Sequence, residues 1–138
     1  MNPRVSLGSV LAVVIAFLVS PFFPVAALIG ESQSAINPER ITVGPQVYPA
    51  QLVHLKRRGF SVIINNRPDG EEETQPANRD LQFEAESLGL DFYHIPVSPL
   101  GINKESVDAM VSVLASTSGP VFAFCRSGIR SNKLKNSL

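Results

Sequence analysis

Residues 121–131 have the sequence VFAFCRSGIRS, which predicts a strand followed by a loop. The four residues Val121–Phe124 are all apolar, and a short apolar run of this kind is typical of a strand buried in a parallel sheet. The polar residues that follow, with Gly128 among them, predict a loop at the carboxyl end of that strand. Ligand sites of parallel α/β sheets lie beyond the carboxyl ends of the strands. The loop 125–131 is therefore the first candidate for a functional site.

The rest of the chain alternates between strand and helix patterns, which predicts an α/β fold with a mainly parallel sheet flanked by helices. In the helix predicted around residues 77–90, we expect Phe83 and Leu88 to face inward, with Leu81 as a weaker third candidate. The remaining strand patterns are RITVG (40–44), SVIIN (61–65) and DFYHIPV (91–97), and the helix patterns are YPAQLVHLKRRGF (48–60), ANRDLQFEAESLGL (77–90) and KESVDAMVSVLAS (104–116).

The first thirty residues form a segment of a different kind, in which Arg4 is the only charged side chain. A short positive region followed by an apolar run predicts a signal peptide, and an uncharged stretch of this length also suits a membrane anchor. Pro21 and Pro24 favour cleavage and export. We expect residues 1–30 to direct the protein to the cell envelope, either exported to the periplasm or held in the membrane through residues 5–30. A linker (31–37) and one domain (38–138) follow.

Composition excludes several functions. Twelve basic and twelve acidic residues give a net charge of zero, so no excess of positive charge indicates a nucleic-acid partner. The single cysteine cannot form an internal disulfide. His54 and His94 are too few, and lack metal-ligand spacing with Cys125, so we expect no metal and no other cofactor.

The loop that carries the cysteine has the residue types that thiolate chemistry needs. A thiol with its ordinary pKa of about 8.5 is a weak nucleophile, and backbone N–H groups and nearby cations favour the thiolate. Gly128 allows the backbone to form an anion-binding nest, and Arg130 can grip an oxyanion with its planar guanidinium. We predict Cys125 and Arg130 as catalytic residues. The alternative is a buried thiol beside a surface turn.

The other residues of the loop are predicted to bind the substrate. Ser127 and Ser131 can donate their hydroxyls to the sulfur or to a bound anion, and Arg126 can meet an anionic substrate from the outside. With Gly128 and Ile129 these residues form the predicted binding set.

The loop NRPDGEEE (66–73) supplies further candidates. Asp69 could serve as a proton donor, although Pro-Asp-Gly is also a common turn sequence. Arg67 could place a second cation beside the thiolate or lie in solvent. The run Glu71–Glu73 is interpreted as a solvated face, and His94 as a structural residue that bonds a loop backbone.

Three stretches, residues 36–76, FYHIPV (92–97) and GPVFAFCRSGIRS (119–131), together resemble the phosphatase-like domain of beta-lactamase hydrolase-like proteins. The resemblance spans about Ile36 to Ser131. It implies a fold similar to that of the cysteine-dependent dual-specificity phosphatases, with an active loop of the rhodanese type. Members of this family are described as candidate sulfurtransferases or phosphatases.

Two features favour sulfur transfer as the predicted reaction. Four residues separate Cys125 from Arg130, which matches the rhodanese loop, whereas cysteine phosphatases have five. The loop SPLGI (98–102) also has no carboxylate where those phosphatases place a general acid. In this interpretation Cys125 takes sulfur from a small anionic donor and passes it, as a persulfide, to a thiol acceptor.

Two alternatives remain open. The first is a cysteine-dependent phosphatase that hydrolyses a phosphate ester, with Asp69 or water as the proton source. The second is an inactive anion-binding or redox-sensing remnant. It is suggested by the C-terminally short domain, in which only seven residues follow Ser131 and Leu134 and Leu138 offer little apolar surface.

Overall fold

The structure, a computed structural model, describes residues 36–138. The predicted targeting segment 1–30 and most of the predicted linker 31–37 lie outside these residues. Within residues 36–138, no helix is both long and apolar enough to cross a membrane.

Four parallel strands form the sheet, in the order β1-β4-β2-β3. Both central strands, β2 and β4, are buried along their whole length, which explains why their sequences are apolar without alternation. The predicted parallel sheet is confirmed. The strands are β1 (Ile41–Gly44), β2 (Val62–Asn65), β3 (Asp91–His94) and β4 (Val121–Phe124).

Helices pack against both faces of the sheet, and the sheet divides the core into two clusters. Successive residues of β2 point to opposite faces, so that Ile64 packs in one cluster with Met110 and Leu134, and Ile63 packs in the other with Leu52. After a short 3₁₀ turn, Pro38–Arg40, the helices in chain order are α1 (Pro49–Arg57), α2 (Asn78–Ser87), α3 (Lys104–Ser116) and α4 (Ile129–Lys135).

The inward face of α2 differs from the one that we predicted. Leu81 and Ala85 are completely buried, whereas the side chain of Phe83 is 74% exposed. Residues four apart lie on the same side of a helix, so Leu81 and Ala85 form one face and Phe83 points away from it. The prediction that Phe83 faces inward was wrong, while Leu88 does pack against the core.

Helix α4 forms directly after the cysteine loop and is anchored in the core. Leu134 is completely buried and belongs to the same cluster as Val121 and Ala123 of β4. The Nζ atom of Lys135 donates a hydrogen bond of 2.9 Å to the carbonyl oxygen of Ile41. The expectation that Leu134 offers little apolar packing was therefore wrong, because one fully buried leucine attaches this short helix to the sheet.

The register of the sheet brings three loops together at one edge. Asn65 at the end of β2 pairs with both Phe124 of β4 and His94 of β3, so these strands end at the same level. The loops that begin at Asn66, at Ile95 and at Cys125 therefore leave the sheet side by side. This edge is where the sequence predicts the functional site.

Replacing Leu134 by alanine tests whether α4 depends on the core. Removing a fully buried leucine side chain should lower the free energy of unfolding by about 2–5 kcal/mol. Ile129→Ala is the matched control on the same helix, since Ile129 is 62% exposed, and it should change that free energy by less than about 0.5 kcal/mol. Urea denaturation measures both. Equal effects of the two changes would show that Leu134 does not anchor the helix.

Candidate active site

Cys125 lies at the bottom of a tight loop and is completely buried. The backbone N–H of Gly128 donates a hydrogen bond of 3.1 Å to its sulfur. Gly128 has a φ of 92°, in the left-handed region, and a Cβ atom there would lie 3.1 Å from the carbonyl oxygen of Gly44. Glycine is therefore required at position 128 both by the backbone conformation and by the close approach of β1.

The loop favours the thiolate form of Cys125. Burial has the largest single effect on the pKa of Cys125 and raises it, because it disfavours the charged form. Hydrogen bonding from four backbone N–H groups lowers the pKa; these belong to Ser131, Ser127, Arg130 and Gly128. Together they outweigh the burial and hold the pKa of Cys125 below its ordinary value. The loop is thus a nest of donors around a thiol that is charged more readily than a free thiol.

A two-pronged ion pair fixes the guanidinium of Arg130. Its two terminal nitrogens donate hydrogen bonds of 2.6 and 2.9 Å to the two carboxylate oxygens of Glu71, and one of them also donates to the carbonyl oxygen of Val97 at 3.0 Å. The hydrogen bonds to Glu71 are the main reason that the pKa of Arg130 is raised, and the nearby Cys125 thiolate contributes further. Arg130 is therefore a permanent cation beside the sulfur.

Glu71 joins Arg130 to a second buried arginine. Arg67 is almost completely buried, and its Nε donates a hydrogen bond of 2.9 Å to Glu71. The pKa of Glu71 is lowered to about 2. The main cause is the hydrogen bonding from Arg130, which outweighs the opposing effect of burial. The interpretation of Glu71 as part of a solvated face was wrong, because this carboxylate is the counter-ion of the buried Arg67 and of the largely buried Arg130.

Glu72 extends the same network to the outside of the loop. Its carboxylate accepts a hydrogen bond of 2.8 Å from Arg67 and forms an ion pair of 2.5 Å with Arg126. Arg67 also donates to the side-chain oxygen of Gln46 at 2.8 Å. Arg67 is thus not in solvent, and its cation acts through Glu71 and Glu72 to position the arginines of the cysteine loop.

Polar side chains at the ends of β2 and β3 hold the loop that carries Glu71. The side chain of Asn65 accepts from the backbone N–H of Arg67 at 2.9 Å, and Asn66 donates to the carbonyl oxygen of Ile95 at 3.0 Å. The Nε2 atom of His94 lies 2.9 Å from the carbonyl oxygen of Arg67, which fixes Nε2 as the protonated nitrogen. The predicted structural role of His94 is confirmed.

A cavity of about 470 Å³ opens above the cysteine loop. Arg126, Ser127, Ile129 and Arg130 of the predicted set line it, together with Glu71, Pro99 and Lys133. Ser131 lies deeper; it is completely buried, and its hydroxyl has no partner among the described residues. Cys125, which is completely buried, is not among the residues that line the cavity.

Asp69 is not among the residues that line this cavity. It is exposed on the surface, and its carboxylate accepts a hydrogen bond of 2.8 Å from the backbone N–H of Asn78, the first residue of α2. This satisfies one of the free donors at the start of a helix, as a capping side chain does. Between residues 36 and 138, no group of three His, Cys, Asp or Glu residues is placed to hold a metal ion.

Two residues of the site, Glu71 and Lys133, were not predicted from the sequence. A buried arginine needs a counter-ion, so the acidic run in the loop after β2 could have indicated Glu71. Lys133 follows Arg130 by three positions, and residues at that spacing share a helix face. Lys133 was not predicted because the seven residues after Ser131 are too few to form a stable helix in isolation.

Comparisons with known proteins agree with this geometry. The family model of the phosphatase-like domain of beta-lactamase hydrolase-like proteins matches residues 35–137. The chain is 41% identical over 92 residues to the beta-lactamase hydrolase-like protein of Agrobacterium fabrum, and 37% identical over 92 residues to that of Xylella fastidiosa. In each case the match covers 67% of this chain and 21% of the relative, so the chain spans about a fifth of the length of these curated relatives.

Solved structures give the same result for the fold. A candidate phosphatase from Neisseria meningitidis superposes with a TM-score of 0.62 and 34% identity, over 68% of this chain and 67% of that one. The core catalytic domain of the yeast PP-IP phosphatase SIW14 has a TM-score of 0.51 and 13% identity, over 70% and 57%, and shares the fold alone. With the family match over residues 35–137, these findings mean that the chain belongs to the family of phosphatase-like domains found in beta-lactamase hydrolase-like proteins.

Proposed function

We propose that the chain is a cysteine-dependent phosphatase that works through a phosphorylated Cys125. The observation that carries this proposal is the thiolate nest: a buried sulfur that faces four backbone N–H groups, with a fixed guanidinium beside it. Backbone donors and an arginine in this arrangement suit the equatorial oxygens of a phosphoryl group. The family, and the relatives named as phosphatases, support the same reaction.

The reaction proceeds in two displacements. The thiolate of Cys125 attacks phosphorus, a sulfur–phosphorus bond forms, and the bond to the leaving oxygen breaks. The electron pair of that bond stays on the leaving oxygen, which takes a proton from water. Water then attacks the cysteinyl phosphate, which releases inorganic phosphate and regenerates the thiolate. Loop N–H groups and Arg130 stabilise the charge on the phosphoryl oxygens in both steps, and Glu71 keeps Arg130 in position.

Sulfur transfer, the reaction that the sequence analysis favours, has less support. Neither the family description nor the solved structures name a sulfurtransferase, and both name phosphatases. The four-residue spacing between Cys125 and Arg130 still favours a small transferred atom, so a persulfide at Cys125 is the second candidate.

Cys125→Ser separates the two reactions. We expect release of phosphate from 4-nitrophenyl phosphate by the full chain, and loss of that activity in the variant, because serine at this site is not ionised. Sulfur transfer from thiosulfate to cyanide is measured in parallel. Sulfur transfer without phosphate release would reverse the order of the two candidates, and phosphate release that survives in Cys125→Ser would contradict the nucleophile.

The ionisation of Cys125 gives a second prediction. Its lowered pKa means that the thiolate forms at a lower pH in the folded protein than it does in an ordinary thiol. The ultraviolet absorbance of the thiolate, with Cys125→Ser as the blank, should therefore rise at a lower pH in the native protein than in denaturant. A midpoint that does not change on unfolding would show that the nest does not favour the charge.

Glu71→Gln tests the ion pair that positions Arg130. The change keeps the size of the side chain but removes the charge, and a hydrogen bond to a charged group contributes about 1.5–3 kcal/mol, so kcat/KM should fall by about ten- to a hundredfold. Because the pKa of Glu71 is about 2, its carboxylate is ionised throughout the working range, and the change should leave the shape of the pH–rate profile unaltered.

Asp69→Asn is the matched control, since it removes one carboxylate charge from the same loop outside the cavity. It should leave kcat/KM within about twofold, as expected for a surface substitution. A large loss that also removes the basic limb of the pH profile would instead assign Asp69 as the general acid.

A further inference from the structure

The cavity above the cysteine loop contains three cations and one carboxylate. The cations are Arg126, Arg130 and Lys133, and the carboxylate is Glu71. The side chain of Arg130 is largely buried beside the thiolate nest, whereas the side chains of Arg126 and Lys133 are exposed to solvent. A single phosphoryl group that occupies the nest leaves both of these charges without a partner in the substrate.

The one carboxylate in the cavity is committed elsewhere. Glu71 accepts hydrogen bonds from Arg130 and Arg67 through both of its oxygens, so it has no proton to give. The loop after β3 contributes Pro99 to the lining, and Asp69 is turned towards α2. Among the described residues that line the cavity, there is therefore no carboxylic acid or imidazole to protonate a leaving oxygen.

The missing acid limits the leaving group. An alkoxide leaves only when it receives a proton, and general acid catalysis of that kind contributes about 10²–10⁴ in rate. A leaving group that is already a stable anion needs no proton. Phosphate is such a group, and it is the leaving group when a phosphoanhydride bond is broken.

The two cations at the opening are placed for an anionic leaving group. Arg126 is held by its ion pair of 2.5 Å with Glu72. Lys133 lies four positions after Ile129 and three after Arg130, so it shares their face of α4, and its ammonium group has no hydrogen-bond or ion-pair partner among the described residues. Both cations are exposed to solvent and line the same cavity as Arg130.

We propose that the substrate is a phosphoanhydride, an organic diphosphate whose terminal phosphoryl group enters the nest and whose second phosphate lies between Arg126 and Lys133. This inference rests on the proposed phosphatase function and names its substrate class. Cys125 forms a bond to the terminal phosphorus, the anhydride P–O bond breaks, and its electron pair stays on the second phosphate. That phosphate leaves as an anion without taking up a proton, and water hydrolyses the cysteinyl phosphate.

A matched pair of small substrates tests the leaving group. Methyl diphosphate and methyl phosphate differ in whether the group that leaves is a phosphate or an alkoxide, and both are small enough for a cavity of about 470 Å³. With the full chain, kcat/KM for methyl diphosphate should exceed that for methyl phosphate by at least about a hundredfold, the lower bound of what general acid catalysis would supply. Similar values for both substrates would overturn the inference.

Lys133→Ala tests the contact with the second phosphate. Because an exposed ion pair contributes about 0.2–1 kcal/mol, kcat/KM for methyl diphosphate should fall by about 1.4- to fivefold, and Lys133→Arg should restore it. Lys104→Ala removes an exposed lysine of α3 that pairs with Asp108 outside the cavity and should have no effect. Equal rates for Lys133→Ala and Lys104→Ala would overturn the role of Lys133.

The outcomes distinguish this inference from the proposed function. Phosphate release from 4-nitrophenyl phosphate that depends on Cys125, without a preference for methyl diphosphate, would leave the phosphatase function standing and remove the substrate class. No phosphate release from any of the three substrates would contradict both. Preferred release from methyl diphosphate that is lost in Cys125→Ser would support both.

Discussion

The ion pair between Glu71 and Arg130 is the interaction on which the rest of the site depends. It joins the loop after β2 to the loop after β4, and each partner is shielded from solvent, with only 19% and 14% of the side chain exposed. Charges in such a place are stable only when they are paired and hydrogen-bonded. Each charge stabilises the other. Without Glu71, Arg130 would be a cation without its main counter-ion, and without Arg130 the carboxylate of Glu71 would lose its strongest partner.

The same constraint organises the residues around the pair. Arg67 shares Glu71 with Arg130, and Glu72 connects Arg67 to Arg126, so charges of opposite sign alternate from the core to the surface. Below them, the apolar side chain of Leu134 fixes α4, whose first residues complete the thiolate nest. Packing therefore places the donors around the sulfur, and electrostatics places the guanidinium beside it.

Much of the fold followed from local patterns. Short apolar runs such as Val121–Phe124, alternating with helix patterns, predicted the parallel sheet. Local patterns failed where burial depends on a neighbouring element. Phe83 is exposed because the face of α2 that meets the core is defined by Leu81 and Ala85, and Leu134 is buried because β1 and β4 receive it.

By itself, the sequence predicted Cys125 as the nucleophile and identified its loop, since Cys125, Gly128 and Arg130 lie within six consecutive residues and their chemistry is local. It also determined the α/β class, because the period of the hydrophobic pattern depends only on backbone geometry. Only the tertiary structure decided which carboxylate belongs to the site. Glu71 lies 59 positions from Arg130 in the chain, and Asp69, two residues before it, faces α2 instead. Ion pairs between distant segments depend on the order of the strands in the sheet, and the sequence of either segment alone does not determine that order.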